Sequence, residues 1–169
     1  APVGSAGMDY LWSPWRYQYI RKDLPERGCV FCLHAEEKDR DEEHYILHRG
    51  RWNFVLLNLY PYTTGHLMVV PYAHSARLTE VTKETLEELI ALARDAEACL
   101  EAALRPKGMN IGLNLGEAAG AGIAAHLHLH VVPRWLGDAN FMSVIAETRV
   151  IPQTLPDTFA LLKQHWGKR

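Results

Sequence analysis

Three histidines alternate with apolar residues in the segment Ala125–Pro133, which reads AHLHLHVVP. Alternation at period two predicts a β-strand, on which residues i, i+2 and i+4 share one face. The apolar residues would then enter a core, while His126, His128 and His130 would line the opposite face. A row of imidazoles on a buried strand calls for a chemical role, since imidazole is a base, a nucleophile and a metal ligand near neutral pH.

Three explanations of this row are open. The histidines can be satisfied by backbone and water, they can bind a metal, or they can perform nucleophilic or acid–base catalysis. Three ligands on one straight strand diverge too far to hold a single ion. We therefore favour catalysis by the central His128, whose neighbours would fix its tautomer and stabilise charge, with one outer histidine shared with a metal.

Cys29 and Cys32 form a C-x-x-C motif after a glycine, and Cys99 is the third cysteine of the chain. An odd count with this spacing does not indicate a disulfide framework. The pair can be a redox pair, plain buried thiols or half of a zinc site, and no βαβ pattern supports the redox reading. Zinc is favoured and needs two further ligands, expected to be histidines. Cys99 is expected in the core.

Composition excludes several classes of function. The chain has 169 residues, 48% hydrophobic and 22% charged, which is typical of one globular domain. A net charge of −2 gives no general field for nucleic acid or an acidic membrane. No apolar run approaches the length of a membrane span, and no signal-peptide core precedes the domain, so a cytoplasmic protein is expected. Residues 1–7 resemble an expression remnant, which leaves one domain over 8–169.

The remaining pattern predicts an α+β fold with a mostly antiparallel sheet. A stripe at spacings of three and four predicts one long helix over Val81–Leu104, capped by Thr82. A glycine-rich loop over 116–122 leads into the histidine segment, where successive amides can form an anion nest. The other predicted elements are an aromatic arm Asp9–Ile20, strands Tyr45–His48, Phe54–Asn58, His66–Val70, Met109–Leu115 and Met142–Ala146, and a closing helix Thr154–Trp166.

The histidine segment resembles the H-φ-H-φ-H-φ-φ motif of the histidine triad (HIT) superfamily, where φ is apolar. Longer runs are similar to the Fhit-like branch and, within it, to bacterial diadenosine tetraphosphate phosphorylases. These runs are LNLYPYTTGHLMVVPY, GLNLG and HVVPRWLGDANF. The resemblance implies a HIT-like fold and a nucleotidyl hydrolase or transferase that acts on an α-phosphate attached to adenosine.

The resemblance also implies residue roles. His128 would be the nucleophile that forms a nucleotidyl-histidine, and His130 would donate to phosphate oxygens. The backbone N–H groups around Gly120 and Gly122 would stabilise the negative charge that develops on the phosphate oxygens. His66 would support the histidine strand. The expected nucleotide contacts also include Asn58 at the ribose, Leu57 at the adenine pocket, and Asn114.

The second step of such a reaction defines the enzyme. Attack by phosphate would convert diadenosine tetraphosphate (Ap4A) to ATP and ADP, and attack by water would release AMP. The run PRWLGDANF favours the phosphorylase, with Arg134 or Lys107 as candidate phosphate contacts. Alternatives are a dinucleoside polyphosphate hydrolase, a purine nucleoside phosphoramidase and a non-catalytic nucleotide-binding regulator. Just before the triad, Gly122–Ala125 lacks the Gln, Ser or Thr that many family members place there.

The resemblance further implies a structural zinc held by Cys29, Cys32, His74 and His126, which would anchor one end of the triad strand. His44 and His48 are rival ligands, and His34 is expected on the surface. Family members are commonly homodimers that join through the long helix and the following strand. A homodimer is therefore expected.

Overall fold

The computed structural model describes residues 28–138 and 151–168. The predicted aromatic arm and the predicted strand Met142–Ala146 lie outside these ranges. The helices are α1 Val30–Glu36, α2 Lys83–Leu104 and α3 Leu155–His165, and the strands are β1 Ile46–Arg49, β2 Asn53–Leu57, β3 Leu67–Pro71, β4 Gly108–Leu113 and β5 Leu129–Arg134. Short 3-10 helices cover Leu78–Glu80 and Glu117–Ala119.

The five strands form one antiparallel sheet in the order β1-β2-β3-β5-β4. The first three strands form an antiparallel meander, and β5 then lies between β3 and β4. Each of the four predicted strands outside the histidine segment that lie in the described ranges is found, with ends shifted by one or two residues. The α+β fold with an antiparallel sheet is confirmed.

The sheet has a buried core on each face. Leu57, Val69 and Leu129 are among the side chains packed under α2 and α3 on one face. On the other face, α1 covers a smaller cluster that includes Phe54 and Met68. Every residue of β2 and β3 is buried, because both faces of these central strands are covered.

Helix α2 begins where its capping residue predicts. The Thr82 hydroxyl accepts a hydrogen bond from the Thr85 N–H, so Thr82 is the N-cap and the helix proper begins at Lys83. The apolar stripe of this helix includes Leu89, Ile90 and Ala93. Most of the stripe is buried, but Ile90 is 60% exposed, so it lies outside the buried face. None of the helices in the described ranges has the length and apolar character that a membrane span requires.

Gly65 allows the β2–β3 turn to pack against the end of α2. Its φ is +81°, and a Cβ at this position would lie 2.5 Å from Leu104 Cδ1. A side chain there would be strained by its backbone and would also collide with the helix. The turn that carries His66 is therefore held close to the core.

The histidine strand is shorter than predicted. The prediction began it at Ala125, but β5 begins at Leu129. The Leu127 N–H donates to Ser75 O, in the loop after β3, instead of joining the sheet ladder. His126 and His128 therefore precede the strand, and both are buried. Helix α1, which follows Cys29 directly, was not predicted.

Candidate functional site: a histidine cluster beside a metal-binding group

His128 has a hydrogen bond that defines its tautomer. Its Nδ1 lies 2.8 Å from the carbonyl oxygen of His126. Since a carbonyl only accepts, Nδ1 carries the proton and Nε2 retains its lone pair. Burial lowers the pKa of His128, and the hydrogen bond to the carbonyl only partly opposes this. The ring is therefore neutral at physiological pH, which is the state a nucleophile needs.

His130 has its tautomer set through a relay of two hydrogen bonds. The Tyr62 N–H donates to His66 Nδ1 at 3.1 Å, and the amide nitrogen of Asn58 faces the same atom at 3.4 Å. His66 must therefore carry its proton on Nε2, which lies 2.9 Å from His130 Nδ1. His130 accepts at Nδ1, so its own proton is on Nε2. His66 is fully buried, which protects the relay from water.

The imidazoles of His128 and His130 are adjacent but not parallel. Their ring centroids lie 4.8 Å apart, with 76° between the planes. One ring offers a lone pair at Nε2 and the other offers an N–H at Nε2. The pair thus combines a nucleophile with a hydrogen-bond donor, which is the combination expected for attack on a group with anionic oxygens.

His126 connects this pair to a group that can bind a metal. Its Nε2 donates to Pro71 O at 2.8 Å, so its Nδ1 is left as a bare lone pair. That Nδ1 lies 3.3 Å from Cys29 Sγ and 3.2 Å from His74 Nδ1. Cys32 Sγ lies 3.3 Å from His74 Nδ1 and 3.7 Å from His126 Nδ1.

These four donors fit a tetrahedral ion. The ligand atoms of Cys29, Cys32, His74 and His126 all lie within 4.8 Å of one another. Zn–S and Zn–N bonds of ordinary length would separate tetrahedral ligand atoms by about 3.3–3.8 Å. Two thiols and two imidazoles are a donor set that favours zinc over hard cations. Four protein donors also leave no open position, as in structural zinc sites.

A redox role for the C-x-x-C pair is not favoured by its surroundings. Burial and the neighbouring Cys29 sulfur raise the pKa of the Cys32 thiol to about 11. Reactive cysteines instead have lowered pKa values that produce thiolate near neutral pH. A cation between the sulfurs would reverse this, because metal ligation removes the thiol proton.

His44 and His48, the rival candidates for zinc ligands, contact other side chains. His44 Nε2 is paired with Glu37, and the His44 ring stacks on that of His34 at 4.1 Å. His48 stacks on Trp166 at 5.5 Å. The expectation that His34 is a surface residue was wrong, because its side chain is only 6% exposed beneath His44.

The expected nucleotide contacts differ in where they lie. Asn58 adjoins His66, and its Oδ1 accepts from the Tyr60 N–H at 3.0 Å. Gly120 and Gly122 belong to the loop that leads to the triad, and Gly120 has a φ of +85°. Asn114 is half-buried just after β4. Leu57 is fully buried in the core beneath α2 and α3, so its side chain is not accessible to a nucleotide.

The candidate phosphate contact Arg134 is already engaged. Its guanidinium makes two hydrogen bonds to the Asp138 carboxylate, at 2.6 and 2.8 Å, and a third to Asn110 Oδ1. It also lies at the far end of β5 from His128, about 20 Å along the strand at the usual rise per residue. Lys107 is exposed, and its N–H donates to Arg134 O in the same region.

Sequence reasoning missed two contributors to the site. The N–H of Tyr62 sets the His66 tautomer, and a backbone group leaves no signal in a residue pattern. Phe31 packs against both His126 and His128. Its position inside the C-x-x-C motif was the available signal, but the contact with the histidines depends on α1.

The fold and this site define a class of protein. A family model described as the HIT domain matches residues 42–135. A crystal structure of a Zn-bound histidine triad family protein from Mycobacterium smegmatis superposes with a TM-score of 0.65 and 28% identity, over 81% of this chain and 91% of that one. The chain belongs to the HIT domain family.

Within this family, the chain is similar to a protein named AP-4-A phosphorylase from Mycobacterium tuberculosis. The two are 41% identical over 168 residues, which cover 96% of this chain and 86% of the relative. An uncharacterized HIT-like protein from Saccharolobus solfataricus is 31% identical over 68% of this chain and 79% of its own length.

Proposed function

We propose that this chain is an Ap4A phosphorylase, which converts Ap4A and phosphate to ATP and ADP through a nucleotidyl-histidine at His128. The observation that carries the proposal is the hydrogen bond from His128 Nδ1 to the His126 carbonyl, because it directs a lone pair to Nε2. The 41% identity to the mycobacterial AP-4-A phosphorylase supports the choice of substrate.

In the first step, the lone pair on His128 Nε2 attacks an α-phosphorus of Ap4A. A P–N bond forms, the P–O bond to the bridging oxygen breaks, and its electrons leave with ATP. The imidazole ring becomes cationic, and the His126 carbonyl that accepts from Nδ1 stabilises this charge. His130 donates from Nε2 to an oxygen of the α-phosphate. The backbone N–H groups near Gly120 and Gly122 also donate to the phosphate oxygens.

In the second step, a phosphate oxygen attacks the same phosphorus. The new P–O bond gives ADP, the P–N bond breaks, and its electrons return to His128 Nε2. The phosphate proton passes to solvent. The His66 relay keeps His130 a donor through both steps, since His130 Nδ1 is occupied by the His66 N–H. Asn58 and Asn114 are proposed as contacts to the nucleoside.

The reaction can be tested with Ap4A in the presence and absence of phosphate. With phosphate, ADP and ATP should form in equal amounts. Without phosphate, the first step should stop at a nucleotidyl group on His128, detected by intact mass and peptide mapping. Release of AMP at the same rate without phosphate would instead identify a hydrolase, and tight binding with no turnover would identify a regulatory nucleotide-binding protein.

The nucleophile is tested by His128→Asn. We expect this variant to lose the covalent adduct and at least about 1,000-fold in turnover, because no other group supplies the lone pair. His165→Asn is the matched control, since His165 lies on α3 and its Nδ1 contacts Leu161 O. Full activity in His128→Asn would refute the assignment.

We also propose that Cys29, Cys32, His74 and His126 hold one structural zinc ion. Bound there, zinc would supply no chemistry to the reaction, because all four positions are protein ligands. Its effect would be to fix His126, whose carbonyl orients His128. Cys29, Cys32 and Cys99 are free thiols in the structure. The two cysteines that would bind zinc must stay reduced, which favours the cytoplasm. We also propose that the chain forms a homodimer through strand β4, at the outer edge of the sheet.

A further inference from the structure

Phe31 lies between the two cysteines of the metal-binding group, and the proposed reaction assigns it no role. Its side chain is 3% exposed. Its ring centroid lies 5.4 Å from the His126 ring, with 70° between the planes, and 5.3 Å from the His128 ring, at 45°. One aromatic side chain therefore packs against both the shared ligand and the nucleophile.

The His128 ring needs a support of this kind. The hydrogen bond from Nδ1 to the His126 carbonyl fixes one atom of the ring but allows the ring to tilt about that atom. The His130 ring contacts it at 4.8 Å and 76°, and Phe31 contacts it at 5.3 Å and 45°. Two aromatic contacts in different planes, together with the hydrogen bond, restrict the tilt.

Helix α1 holds Phe31 firmly because it is attached at both ends. At its start, the sulfurs of Cys29 and Cys32 contact the imidazoles of the metal-binding group. At its end, the Arg49 guanidinium donates to the carbonyl oxygens of His34 and Ala35, at 2.8 and 3.2 Å. Such contacts with the last carbonyls are a common way to secure a helix C-terminus.

We propose that Phe31 is a positioning residue that holds the His128 imidazole so that Nε2 points at the α-phosphorus. The proposal rests on the proposed function, because it assumes that His128 is the nucleophile. It also gives the metal-binding group an effect on the reaction, since the same short helix carries the two cysteines and the aromatic support.

A purely structural role for Phe31 is the competing explanation, and the chain offers a matched control. Phe54 belongs to the same cluster, is fully buried, and stacks on Tyr72 at 5.4 Å. Phe→Leu at either position removes a flat ring of the same size from the same core. Only the substitution at Phe31 should affect the nucleophile.

The first experiment measures formation of nucleotidyl-His128 from Ap4A in a single turnover, with the metal-loaded 169-residue chain. Phe31→Leu should slow this step roughly 10- to 100-fold, with KM changed less than about threefold, because a small misplacement of a reacting atom is costly. Phe31→Tyr, which keeps the flat ring, should stay within about threefold of the wild type, and so should Phe54→Leu. Equal slowing in both Leu variants would overturn the proposal.

A second measurement does not depend on substrate. The ¹⁵N chemical shifts of the His128 ring report which nitrogen carries the proton. We expect the Nδ1–H tautomer alone in the wild type and in Phe54→Leu, and a mixture of tautomers in Phe31→Leu. An unchanged single tautomer in Phe31→Leu would contradict the positioning role. If the wild type formed no nucleotidyl-His128, the proposed function would fail, and this measurement would still decide the role of Phe31.

Discussion

At the scale of single residues, the ring nitrogens that carry the protons of His128 and His130 are determined by neighbouring hydrogen-bond partners. His128 takes its tautomer from the backbone carbonyl two residues earlier. His130 takes its tautomer from His66, which takes its own from the Tyr62 N–H. Each assignment traces back to a backbone group that can only donate or only accept, so the protonation pattern follows from the fold.

His66 is therefore expected to control the donor on His130. His66→Leu removes the N–H that occupies His130 Nδ1, so the proton of His130 can move away from Nε2. We expect the rate of nucleotidyl-His128 formation to fall roughly 100-fold, the lower range for loss of one positioned proton donor. The ¹⁵N shifts of the His130 ring should change at the same time.

His66→Gln is the matched control for this prediction. Its amide can accept from the Tyr62 N–H with its oxygen and donate to His130 Nδ1 with its nitrogen. This variant should recover most of the lost rate. If Gln and Leu at position 66 were equally slow, the relay would not be the reason for the loss.

At the scale of elements, Glu88 on α2 fastens the turn between β1 and β2. Its carboxylate accepts hydrogen bonds from the N–H groups of Arg51, Trp52 and Asn53, at 2.7–2.8 Å, and from Asn53 Nδ2 at 2.9 Å. A Cβ at Gly50 would lie 2.9 Å from Glu88 Oε1, so the turn approaches the carboxylate as closely as a glycine permits. One side chain thus attaches the sheet to the long helix.

The stability supplied by Glu88 should depend on pH. Burial acts to raise the pKa of Glu88, but the hydrogen bonds from Asn53 and the backbone outweigh it, and the pKa lies below its ordinary value. A lowered carboxyl pKa adds stability above the pKa of the unfolded chain, and this stability is lost as the pH falls through the folded-state pKa. Glu88→Gln should therefore destabilise the protein by about 2 kcal/mol near pH 7 and by less below about pH 4.

Urea unfolding of both proteins over this pH range provides the measurement. Glu87→Gln is the control, since Glu87 is exposed and its contact with Lys83 is 3.6 Å long. It should change the free energy of unfolding by less than about 0.5 kcal/mol. A loss in Glu88→Gln that stayed constant with pH would mean that packing, and not the carboxylate charge, holds the turn.

The sequence allowed most elements to be predicted because their signals are local. The stripe of α2 and the Thr82 cap are read within a few residues, and the alternation in the meander is equally local. The start of β5 at Leu129 could not be read this way, because it depends on Leu127 bonding to Ser75, far away in the chain. Helix α1 has only seven residues and takes its position from contacts at both ends.

The candidate site could also be predicted only in part, because some of its features depend on contacts that a local pattern does not show. The alternating histidines singled out His128, and the resemblance supplied the four candidate metal ligands that the structure brings together. The sequence could not assign protons to ring nitrogens, because the deciding partners are backbone groups such as the His126 carbonyl. The sequence analysis also placed Leu57 in the nucleotide pocket, although the pleat of β2 directs this side chain into the core beneath α2 and α3.

At the scale of the whole molecule, the zinc proposal predicts a change in stability. The protein should contain about one zinc per chain, and the double variant Cys29→Ser, Cys32→Ser should contain none. Loss of the ion should lower the Tm by roughly 10 °C, which corresponds to about 3–4 kcal/mol for a chain of this size. Elemental analysis and calorimetry of the same samples provide the two measurements.

His48→Gln is the matched control, since His48 stacks on Trp166 outside the metal-binding group. This variant should retain its zinc, and its Tm should be nearly the same as that of the wild type. Zinc-free wild-type protein with an unchanged Tm would refute a structural ion. Retention of zinc in the double cysteine variant would refute the ligand assignment.

The proposed homodimer follows from the outer edge of the sheet. Strand β4 pairs with β5 on one side, and no other strand of the described residues pairs with its second side. Ile111 on this strand is 45% exposed, and Leu115 just beyond it is 46% exposed. Long apolar edge strands favour association, and a two-fold axis at β4 would join two sheets into one. Ile111→Asp should convert the dimer to a monomer in sedimentation velocity. Trp52→Asp, in the turn between β1 and β2, is the control and should leave the protein dimeric. A monomeric wild type would refute the proposal.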